Sequence, residues 1–462
     1  EEASAYYAAG TAQYHIDADV VHAIRKYVDV SGDQAFLCEH GAEILVETAR
    51  LWRSLGFFSK RRDGRFCIHA VTGPDEYNTV VNNNLFTNMM AQQNLRYAAE
   101  VLDHMEREAP ESYAAVVHRT GLQEHEPRDW LSAAEAMFLP YDDEHRIHLQ
   151  DDSFLDKQEW DFDSIPDDHY PLLLNYQPLV IYRHRVIKQA DVVMAMFLLG
   201  REFDAEAKRR NFDFYDPLTT GDSSLSVCIQ SIIASEIGYQ EEAYRYFRYA
   251  VLMDLADLGG NVRDGVHVAA IGGTWMTLVY GFAGLRDDNA QLSFDPRLPQ
   301  QWEGMRFQVI VGGQEVEVDL NHDIALYTLR EGPDLEIRHQ DRTLLLHAGE
   351  TATVAVEHMA PGYAETYREL LPLGKFGAVL FDMDGVITAT GDVHANAWKR
   401  MFDAYLQERA ERTDEPFRPF ETGTDYLLHV DGKPRQDGVR DFLESRGIRV
   451  PVGEPGDPPE AE

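Results

Sequence analysis

The sequence predicts a mainly α-helical protein that continues into a small antiparallel β domain and then into part of an α/β domain. Up to about residue 288, apolar residues recur every three or four positions, as they do along one face of a helix. Between about 289 and 360 the period falls to two, which is typical of strands with one buried face. From about 376 a short apolar run ends in acidic residues, as a buried strand that leads into an acidic turn would.

The helical stripes follow one another and are separated by loops rich in Gly, Pro, Asp and Ser. The first stripe contains Ile16, Val20, Ile24 and Val28. Later stripes begin at Ile44, Leu85, Val193, Leu225, Tyr246 and Ala270. This succession of amphipathic helices predicts a helical domain over residues 1–288.

The β domain is predicted over residues 289–360. Acids and aliphatics alternate from Glu315 to Leu320, and Gly312-Gly313 ahead of them suits a hairpin turn. Residues 361–375 are predicted to be a linker. The last residues, 451–462, are rich in Pro, Gly and Glu and are predicted to be disordered.

Composition excludes several classes of partner. The 462 residues include 42 Lys and Arg against 79 Asp and Glu, a formal net charge of −37, so nucleic acids and anionic membranes would be repelled. The three widely spaced cysteines fit free thiols in a reducing compartment. Without an apolar run of membrane length or a signal sequence, the sequence predicts a cytoplasmic protein. Because the first residue is Glu1, we expect the natural protein to begin earlier.

The sharpest motif is Thr-Gly-Pro-Asp-Glu-Tyr-Asn at residues 72–78, where a Gly-Pro turn presents two acids ahead of a helix that is expected to start near Leu85. A turn followed by helix-entry acids is the structural alternative. As a catalytic motif it offers two carboxyl groups, Asp75 and Glu76, for general acid chemistry.

Three further segments occur with this motif, at residues 14–19 (YHIDAD), 188–192 (KQADV) and 223–226 (SSLS), the last with His267 and a GGTW run downstream. Together with TGPDEYN and the three asparagines at 82–84, they resemble glycoside hydrolase family 65. The resemblance covers residues 1 to about 360. It implies an (α/α)6 barrel, here without its front part, followed by a small β-sandwich.

The resemblance also implies roles for individual residues. Glu76 would be the general acid that protonates the glycosidic oxygen, and Asp75 a support residue whose change to Asn costs less than Glu76→Gln. Lys188 and Gln189 would bind sugar hydroxyls, against the alternative of a solvated helix start.

Phosphate is assigned to Ser223, Ser224 and His267. A helix beginning at residues 222–224 would supply hydroxyls and free backbone N–H groups to an anion. Ordinary capping of that helix by Ser or Asp is the alternative.

The third unit, residues 376–450, contains the segment Phe381 to Ile387 with the pattern DxDG after a predicted strand. With His394, Trp398 and the run 430–435, it resembles the β-phosphoglucomutases of the haloacid dehalogenase superfamily. That resemblance implies that Asp382 is a phosphoryl-accepting nucleophile, that Asp384 moves the proton, and that both hold Mg²⁺. The later motifs of that superfamily are absent, so only an opening fragment is predicted.

The two resemblances together predict an enzyme that phosphorolyses an α-linked glucose disaccharide with inversion, giving β-glucose 1-phosphate and glucose. Its partners would be a disaccharide and inorganic phosphate as co-substrate, with no cofactor for the barrel; the oligomeric state stays open, a homodimer being one option. Two alternatives stay open. One is an inverting hydrolase, whose second carboxylate would lie about 6.5–9.5 Å from the acid. The other is a non-catalytic carbohydrate-binding fragment.

Overall fold

The protein is described by a computed structural model, and the described residues are 5–287, 291–358, 362, 391–413, 416–430, 433 and 435–449. The chain forms two compact units, Glu1–Leu371 and Pro372–Glu462. Within the described residues, no helix combines the length and apolar character that a membrane span needs.

The first unit is mainly helical up to residue 287. Its α-helices are α1 (His15–Ser31), α2 (Gln34–Phe36), α3 (Ala42–Leu55), α4 (Leu85–Glu108), α5 (Pro110–Thr120), α6 (Glu126–Glu135), α7 (Leu172–Asn175), α8 (Pro178–Ile181), α9 (Asp191–Leu198), α10 (Ala205–Tyr215), α11 (Ser226–Ile237), α12 (Gln240–Leu255) and α13 (Val268–Met276). A π-helical turn, Thr277–Phe282, continues α13.

Helices α1, α4, α9, α11 and α13 pack side by side in chain order. The first residue of α9, Asp191, accepts from Asn84 just before α4, and Ser226 at the start of α11 donates to Lys188 just before α9, so these three helices begin at one end.

At the start of α1 and α4, the His15 ring lies 5.7 Å from the Phe86 ring. Further along the same helices, the Arg25 guanidinium lies 5.1 Å from the centre of the Tyr97 ring. Both helices therefore begin at the same end of the domain.

The same relation holds between α11 and α13. The Cys228 thiol near the start of α11 lies 3.8 Å from the Ala270 carbonyl oxygen. Near the other end, the Ser235 hydroxyl donates to the Gly281 carbonyl oxygen at 3.0 Å. These two helices are thus parallel, and their first residues lie at one end.

Other helices pack antiparallel to this parallel row. The Gln92 amide of α4 donates to the Ala134 carbonyl oxygen of α6 at 2.7 Å. One turn earlier, the Asn88 amide donates to the Phe138 carbonyl oxygen, also at 2.7 Å. Helices α10 and α12 both pack against α11, and α10 also contacts α9. The helical prediction for the first domain is confirmed at this level.

The predicted stripe on α1 was only half right. Ile24 and Val28 are buried, but Ile16 and Val20 are 55% and 44% exposed. The buried face at the start of α1 instead carries small and β-branched residues, including Ala18 and Val21. In this first half of α1 the wrong face was predicted to be buried, because the spacing of apolar residues alone does not say which side of a helix meets its neighbour.

Short strands lie in the loops between the helices: β1 (Phe57–Ser59), β2 (Arg65–Cys67), β3 (Tyr141–Asp142), β4 (Ile147–His148), β5 (Gln158–Glu159) and β6 (His184–Arg185). The β domain follows with β7 (Ser293–Phe294), β8 (Gly304–Val311), β9 (Gln314–Asn321), β10 (Ile324–Glu331), β11 (Leu335–His339), β12 (Arg342–Leu346) and β13 (Thr351–Ala355). Its two sheets have the strand orders β13-β10-β9-β8 and β12-β11-β7.

The period-two pattern is confirmed in this domain. Side chains along β9 alternate strictly between buried and half-buried. Gly312 and Gly313 connect β8 to β9 with φ angles of 56° and 76°. Positive φ at both central residues is what a tight hairpin turn requires, and glycine meets it without steric cost.

The second unit contains α14 (Gly391–Thr413), α15 (Asp425–His429) and α16 (Arg435–Ser445). Its core is aromatic, with the Phe402 and Phe442 ring centres 4.2 Å apart and Phe420 against both. The helix predicted around Trp398 lies within α14. The predicted strand before Asp382, and the proposed acids Asp382 and Asp384 themselves, lie outside the described residues.

Candidate active site

The predicted site residues of the first unit all precede helices of the parallel row. Glu76 lies in the loop that leads to α4, and Lys188 lies just before α9. Ser223 precedes α11, and His267 immediately precedes α13. Because these helices begin at one end, the fold gathers the four loops at that end of the domain.

Asp75 is completely buried, and its carboxylate joins two of these loops. One oxygen, Oδ1, accepts hydrogen bonds from the backbone N–H groups of Tyr77 (3.2 Å), Lys188 (2.8 Å) and Gln189 (3.3 Å). The other, Oδ2, accepts from the side-chain amides of Asn78 (2.5 Å) and Gln150 (2.8 Å). Burial raises the pKa of Asp75, and these hydrogen bonds act in the opposite direction.

A second buried carboxylate, Asp191, opens α9. Its Oδ1 accepts from the backbone N–H of Asp75 at 2.8 Å, and its Oδ2 accepts from the Asn84 amide at 2.8 Å. Burial raises the pKa of Asp191 well above its ordinary value, and the neighbouring charge of Asp75 raises it further. Asn84 also caps α4, because its Oδ1 accepts from the Thr87 N–H at 2.9 Å.

Glu76 differs from its neighbour in exposure. Its side chain is 28% exposed and forms an ion pair with the Lys188 ammonium group, which is 21% exposed. Only Glu76 of the two adjacent acids therefore has a surface that a ligand can reach. Lys188, predicted to contact a sugar, lies against this carboxylate.

Gln189 connects the predicted sugar-binding segment to the predicted phosphate segment. Its side-chain amide donates to the Ser223 hydroxyl oxygen at 3.1 Å. The Ser226 hydroxyl in turn donates to the Lys188 carbonyl oxygen at 2.8 Å. Lys188 and Gln189 are thus fixed to the start of α11 by both side-chain and backbone contacts.

The predicted start of this helix was wrong by a few residues. Helix α11 begins at Ser226, with Leu225 as the preceding N-cap residue and no side-chain cap. Ser223 lies before the helix, and its hydroxyl accepts from the Leu225 N–H at 3.3 Å. Ser224 is half-buried between them. The helix has no side-chain cap because its N-cap residue, Leu225, carries no hydrogen-bond acceptor.

His267 is held by Asp254 at the start of α13. Its Nδ1 lies 2.6 Å from Asp254 Oδ1, and its backbone N–H donates to Oδ2 at 2.9 Å. Since a carboxylate only accepts, Nδ1 carries a proton and Nε2 is the ring nitrogen turned away, 3.4 Å from the Asn261 amide. Burial would raise the pKa of Asp254, but the hydrogen bonds from His267 lower it overall.

Tyr77 and Asp222 make a further link between the predicted acid loop (residues 72–78, which include Glu76) and the loop before α11 that is predicted to bind phosphate. The Tyr77 hydroxyl donates to Asp222 Oδ2, and the Leu172 N–H lies 3.1 Å from the same oxygen. Burial raises the pKa of Asp222, while the Tyr77 hydrogen bond opposes the rise.

The structure thus connects Glu76, Lys188, Gln189 and Ser223 through direct contacts, and brings Ser224 and His267 to the same end of the domain. Sequence reasoning did not identify Gln150, which binds Asp75 and is completely buried. The available signal was its place in a Gln-Asp-Asp run, at 150–152, within an otherwise ordinary loop.

Comparison with known proteins identifies the family. The central catalytic domain of glycosyl hydrolase family 65 matches residues 1–276, and the C-terminal domain of that family matches residues 285–346. The chain belongs to glycosyl hydrolase family 65. Its mainly helical first domain and following β domain agree with this assignment.

Several family 65 relatives are phosphorylases by name. The α,α-trehalose phosphorylase of Thermoanaerobacter brockii is 46% identical over 349 residues, which cover 76% of this chain and 45% of that protein. The kojibiose phosphorylase of Halothermothrix orenii is 36% identical, with 68% of this chain and 40% of that protein covered. A solved structure, the "Putative kojibiose phosphorylase from human microbiome", superposes with a TM-score of 0.67 at 30% identity, covering 73% of this chain and 46% of that one. The chain therefore spans less than half the length of these relatives.

Proposed function

We propose that the protein containing this chain phosphorolyses an α-linked glucose disaccharide with inversion, releasing β-glucose 1-phosphate and glucose. The observation that carries the proposal is the direct linkage of three segments: the acid loop at Glu76, the polar pair Lys188–Gln189, and Ser223 ahead of the uncapped helix α11. Family membership and the names of the relatives supply the substrate class.

In the proposed reaction, Glu76 gives its proton to the bridging oxygen as the glycosidic bond breaks. The partly exposed carboxyl group of Glu76 can meet a substrate, whereas the fully buried Asp75 cannot. Lys188 and Gln189 bind hydroxyl groups of the sugar. When a sugar enters, the Lys188 ammonium group exchanges its contact with Glu76 for contacts with the ligand, and the freed carboxylate takes up one proton from solvent, which it then gives to the bridging oxygen.

Phosphate attacks the anomeric carbon from the face opposite the leaving sugar. We assign its binding to Ser223, Ser224 and His267, together with the first N–H groups of α11. Two features support this assignment: the positive end of an open 12-residue helix, and a histidine that Asp254 orients at the same end of the domain. Because phosphate is already an oxyanion, the step needs no protein base.

The test is a phosphate titration with the complete protein. Initial rates would be measured with trehalose, kojibiose, maltose and nigerose over a phosphate series, with the anomeric form of glucose 1-phosphate followed by NMR. We expect turnover that requires phosphate and yields the β anomer. Release of free glucose at the same rate without phosphate would instead favour an inverting hydrolase, and sugar binding without turnover would favour a binding fragment.

We further propose that the parallel row of five helices within the described residues belongs to an (α/α)6 barrel over residues 1–288. The helices at the two ends of the row support this, because both expose apolar side chains: Ile16 on α1, and Ile271 and Trp275 on α13, each at least half exposed. A further helix pair from outside this chain would cover them. Residues 289–360 would be the β-sandwich domain.

For residues 376–450 we propose a fragment of a β-phosphoglucomutase-like domain that would use Mg²⁺ at Asp382 and Asp384. The product assigned to the first domain supports this, since such a domain would consume β-glucose 1-phosphate. In the complete protein, Asp382→Ala should abolish formation of glucose 6-phosphate and leave phosphorolysis unchanged. Loss of both activities would argue against separate sites.

A further inference from the structure

We propose that Asp75 and Asp191 are positioning residues, which fix the backbone of Glu76 relative to that of Lys188 and Gln189 without touching the substrate. The proposal rests on the proposed function only in taking Glu76 as the acid and Lys188–Gln189 as the sugar-binding pair. Neither carboxylate has any exposed surface, so their action must pass through other residues.

Asp75 bridges two loops that are more than a hundred residues apart in sequence. Oδ1 binds the N–H two residues along its own loop, at Tyr77, and also the N–H groups of Lys188 and Gln189. One oxygen atom thereby sets the distance between the loop that carries the acid and the segment that carries the sugar contacts. Any shift of this oxygen moves Glu76 and Lys188 relative to each other.

Asp191 acts on the acid loop from the opposite side. Its Oδ1 accepts from the N–H of Asp75, which belongs to the peptide group between Pro74 and Asp75, while Oδ2 accepts from the Asn84 amide. The chain passes so close that a Cβ atom on Gly73 would lie 2.2 Å from Asp191 Oδ2. The acid loop is thus held between Asp191 at the start of α9 and Asn84, which caps α4.

The two carboxyl groups differ in their ionisation. Two buried carboxylates in contact with a common loop do not both ionise at low cost, because burial and mutual repulsion favour one proton on the pair. Asp75 accepts from five donors and Asp191 from two, so Asp75 is the better stabilised anion. Burial and the charge of Asp75 both raise the pKa of Asp191, which is consistent with Asp191 holding the proton.

This division predicts different outcomes for the same chemical change. Asn at 75 would turn an NH₂ group toward N–H donors on one side or the other, leaving them without an acceptor. Asn at 191 can still accept from the Asp75 N–H with its oxygen, and its NH₂ group then faces a single donor, the Asn84 amide, whereas either orientation of Asn at 75 leaves two or three donors without an acceptor. Ala at 191 removes that acceptor altogether.

The experiment compares Asp75→Asn, Asp191→Asn and Asp191→Ala in the complete protein, with Asp216→Asn as the matched control. Asp216 is also a buried carboxylate, but its partners Gln230 and Tyr246 belong to α11 and α12 rather than to the site loops. Two substrates are used: the disaccharide, and α-glucosyl fluoride, whose fluoride leaves with little need for a proton donor.

On the disaccharide we expect kcat/KM to fall roughly 10²-fold for Asp75→Asn and roughly 10-fold or more for Asp191→Ala, since displacements near 1 Å can cost this much. Asp191→Asn should stay within about fivefold of wild type, and Asp216→Asn should be unchanged. With the fluoride, kcat/KM of Asp191→Ala should return toward the wild-type value, as it should for Glu76→Gln, because both substitutions impair only proton donation. The kcat/KM of Asp75→Asn should return less far, because the Lys188–Gln189 segment is also displaced.

Equal losses on both substrates for every variant, or losses no larger than that of Asp216→Asn, would overturn the proposal and leave a purely structural role. If Asp75→Asn does not fold, the comparison of Asp191→Ala with Asp191→Asn decides alone. The quantity compared is kcat/KM on the fluoride divided by kcat/KM on the disaccharide. Both rates are measured as release of the leaving group, so they can be obtained with either phosphate or water as the acceptor. A wild-type protein without phosphate dependence would therefore overturn the phosphorylase proposal and leave this test intact.

Discussion

Gly73→Ala is the substitution whose effect can be worked most directly from the structure. Gly73 is buried in the turn before Asp75, and an added Cβ would lie 2.2 Å from Asp191 Oδ2 and 2.6 Å from the Asn84 amide nitrogen. Ordinary contacts need more than 3 Å, so one partner or the loop must move by roughly 1 Å. The movement breaks the 2.8 Å hydrogen bond between Asn84 and Asp191 or displaces the loop that carries Glu76.

The expected cost has two parts. Overpacking a buried site costs about 1–3 kcal/mol, and losing a hydrogen bond to a buried carboxyl group costs about 1.5–3 kcal/mol. Because these side chains can relax, we expect a loss of about 3 kcal/mol in the free energy of unfolding, or roughly 5 °C in Tm. Turnover should fall by roughly 10²-fold if the acid loop shifts by 1 Å.

The assay is thermal unfolding by calorimetry together with kcat on the disaccharide. Gly281→Ala is the matched control, since Gly281 is also buried but an added Cβ there meets its nearest atom, Ile232 Cα, at 3.6 Å. That variant should keep both Tm and kcat. If Gly73→Ala behaves like Gly281→Ala, the close approach of the acid loop to Asp191 does not constrain the site.

Three further outcomes are expected. Glu76→Gln should lower kcat by roughly 10²–10⁴-fold with little change in disaccharide affinity, measured by single turnover and calorimetry; a near-normal rate would remove Glu76 from the mechanism. His267→Ala should raise KM for phosphate far more than KM for disaccharide in initial-rate series, and equal effects would contradict its assignment to the anion. Burial raises the pKa of Asp216 to about 6, so its contribution to stability is complete below pH 4 and is lost as pH rises through 6. The free energy of unfolding of wild type, measured by denaturant titration, should fall by about 2–3 kcal/mol more than that of Asp216→Asn between pH 4 and pH 7.5. If the two proteins show the same change of unfolding free energy with pH, the raised pKa is contradicted.

The fold class was predictable because hydrophobic period is a local property. The alternation from Glu315 to Leu320 identified β9, and the three- and four-residue spacing identified helices such as α4 with its start at Leu85. Which face of a helix is buried depends on the elements that pack against it, and the spacing of apolar residues carries no information about those elements. Ile16 shows this, because it belongs to the predicted stripe yet remains exposed.

The site was predictable as a set of motifs, but the contacts between motifs were not. Gln189 and Ser223 are 34 residues apart, and no feature of either segment indicates that the Gln189 amide would reach the Ser223 hydroxyl. Gln150 is a stronger example, because its place in a Gln-Asp-Asp run does not indicate that its amide would reach the Asp75 carboxylate. Its role follows only from the unmet hydrogen-bonding capacity of the buried Asp75 carboxylate.

Sequence could not separate the roles of Asp75 and Glu76 by chemistry, since the two acids are adjacent and either could donate a proton. Burial and hydrogen bonding separate them. A general acid must exchange its proton with a substrate, and Asp75 has neither exposed surface nor an oxygen free of donors. Five donors around one carboxylate tolerate an amide poorly, so we expect Asp75→Asn to cost roughly 10²-fold, the lower end of the range expected for Glu76→Gln. Asp191→Asn, where the proton already resides in the proposed pair, is the milder change, and a large loss in that variant would place the charge on Asp191 instead.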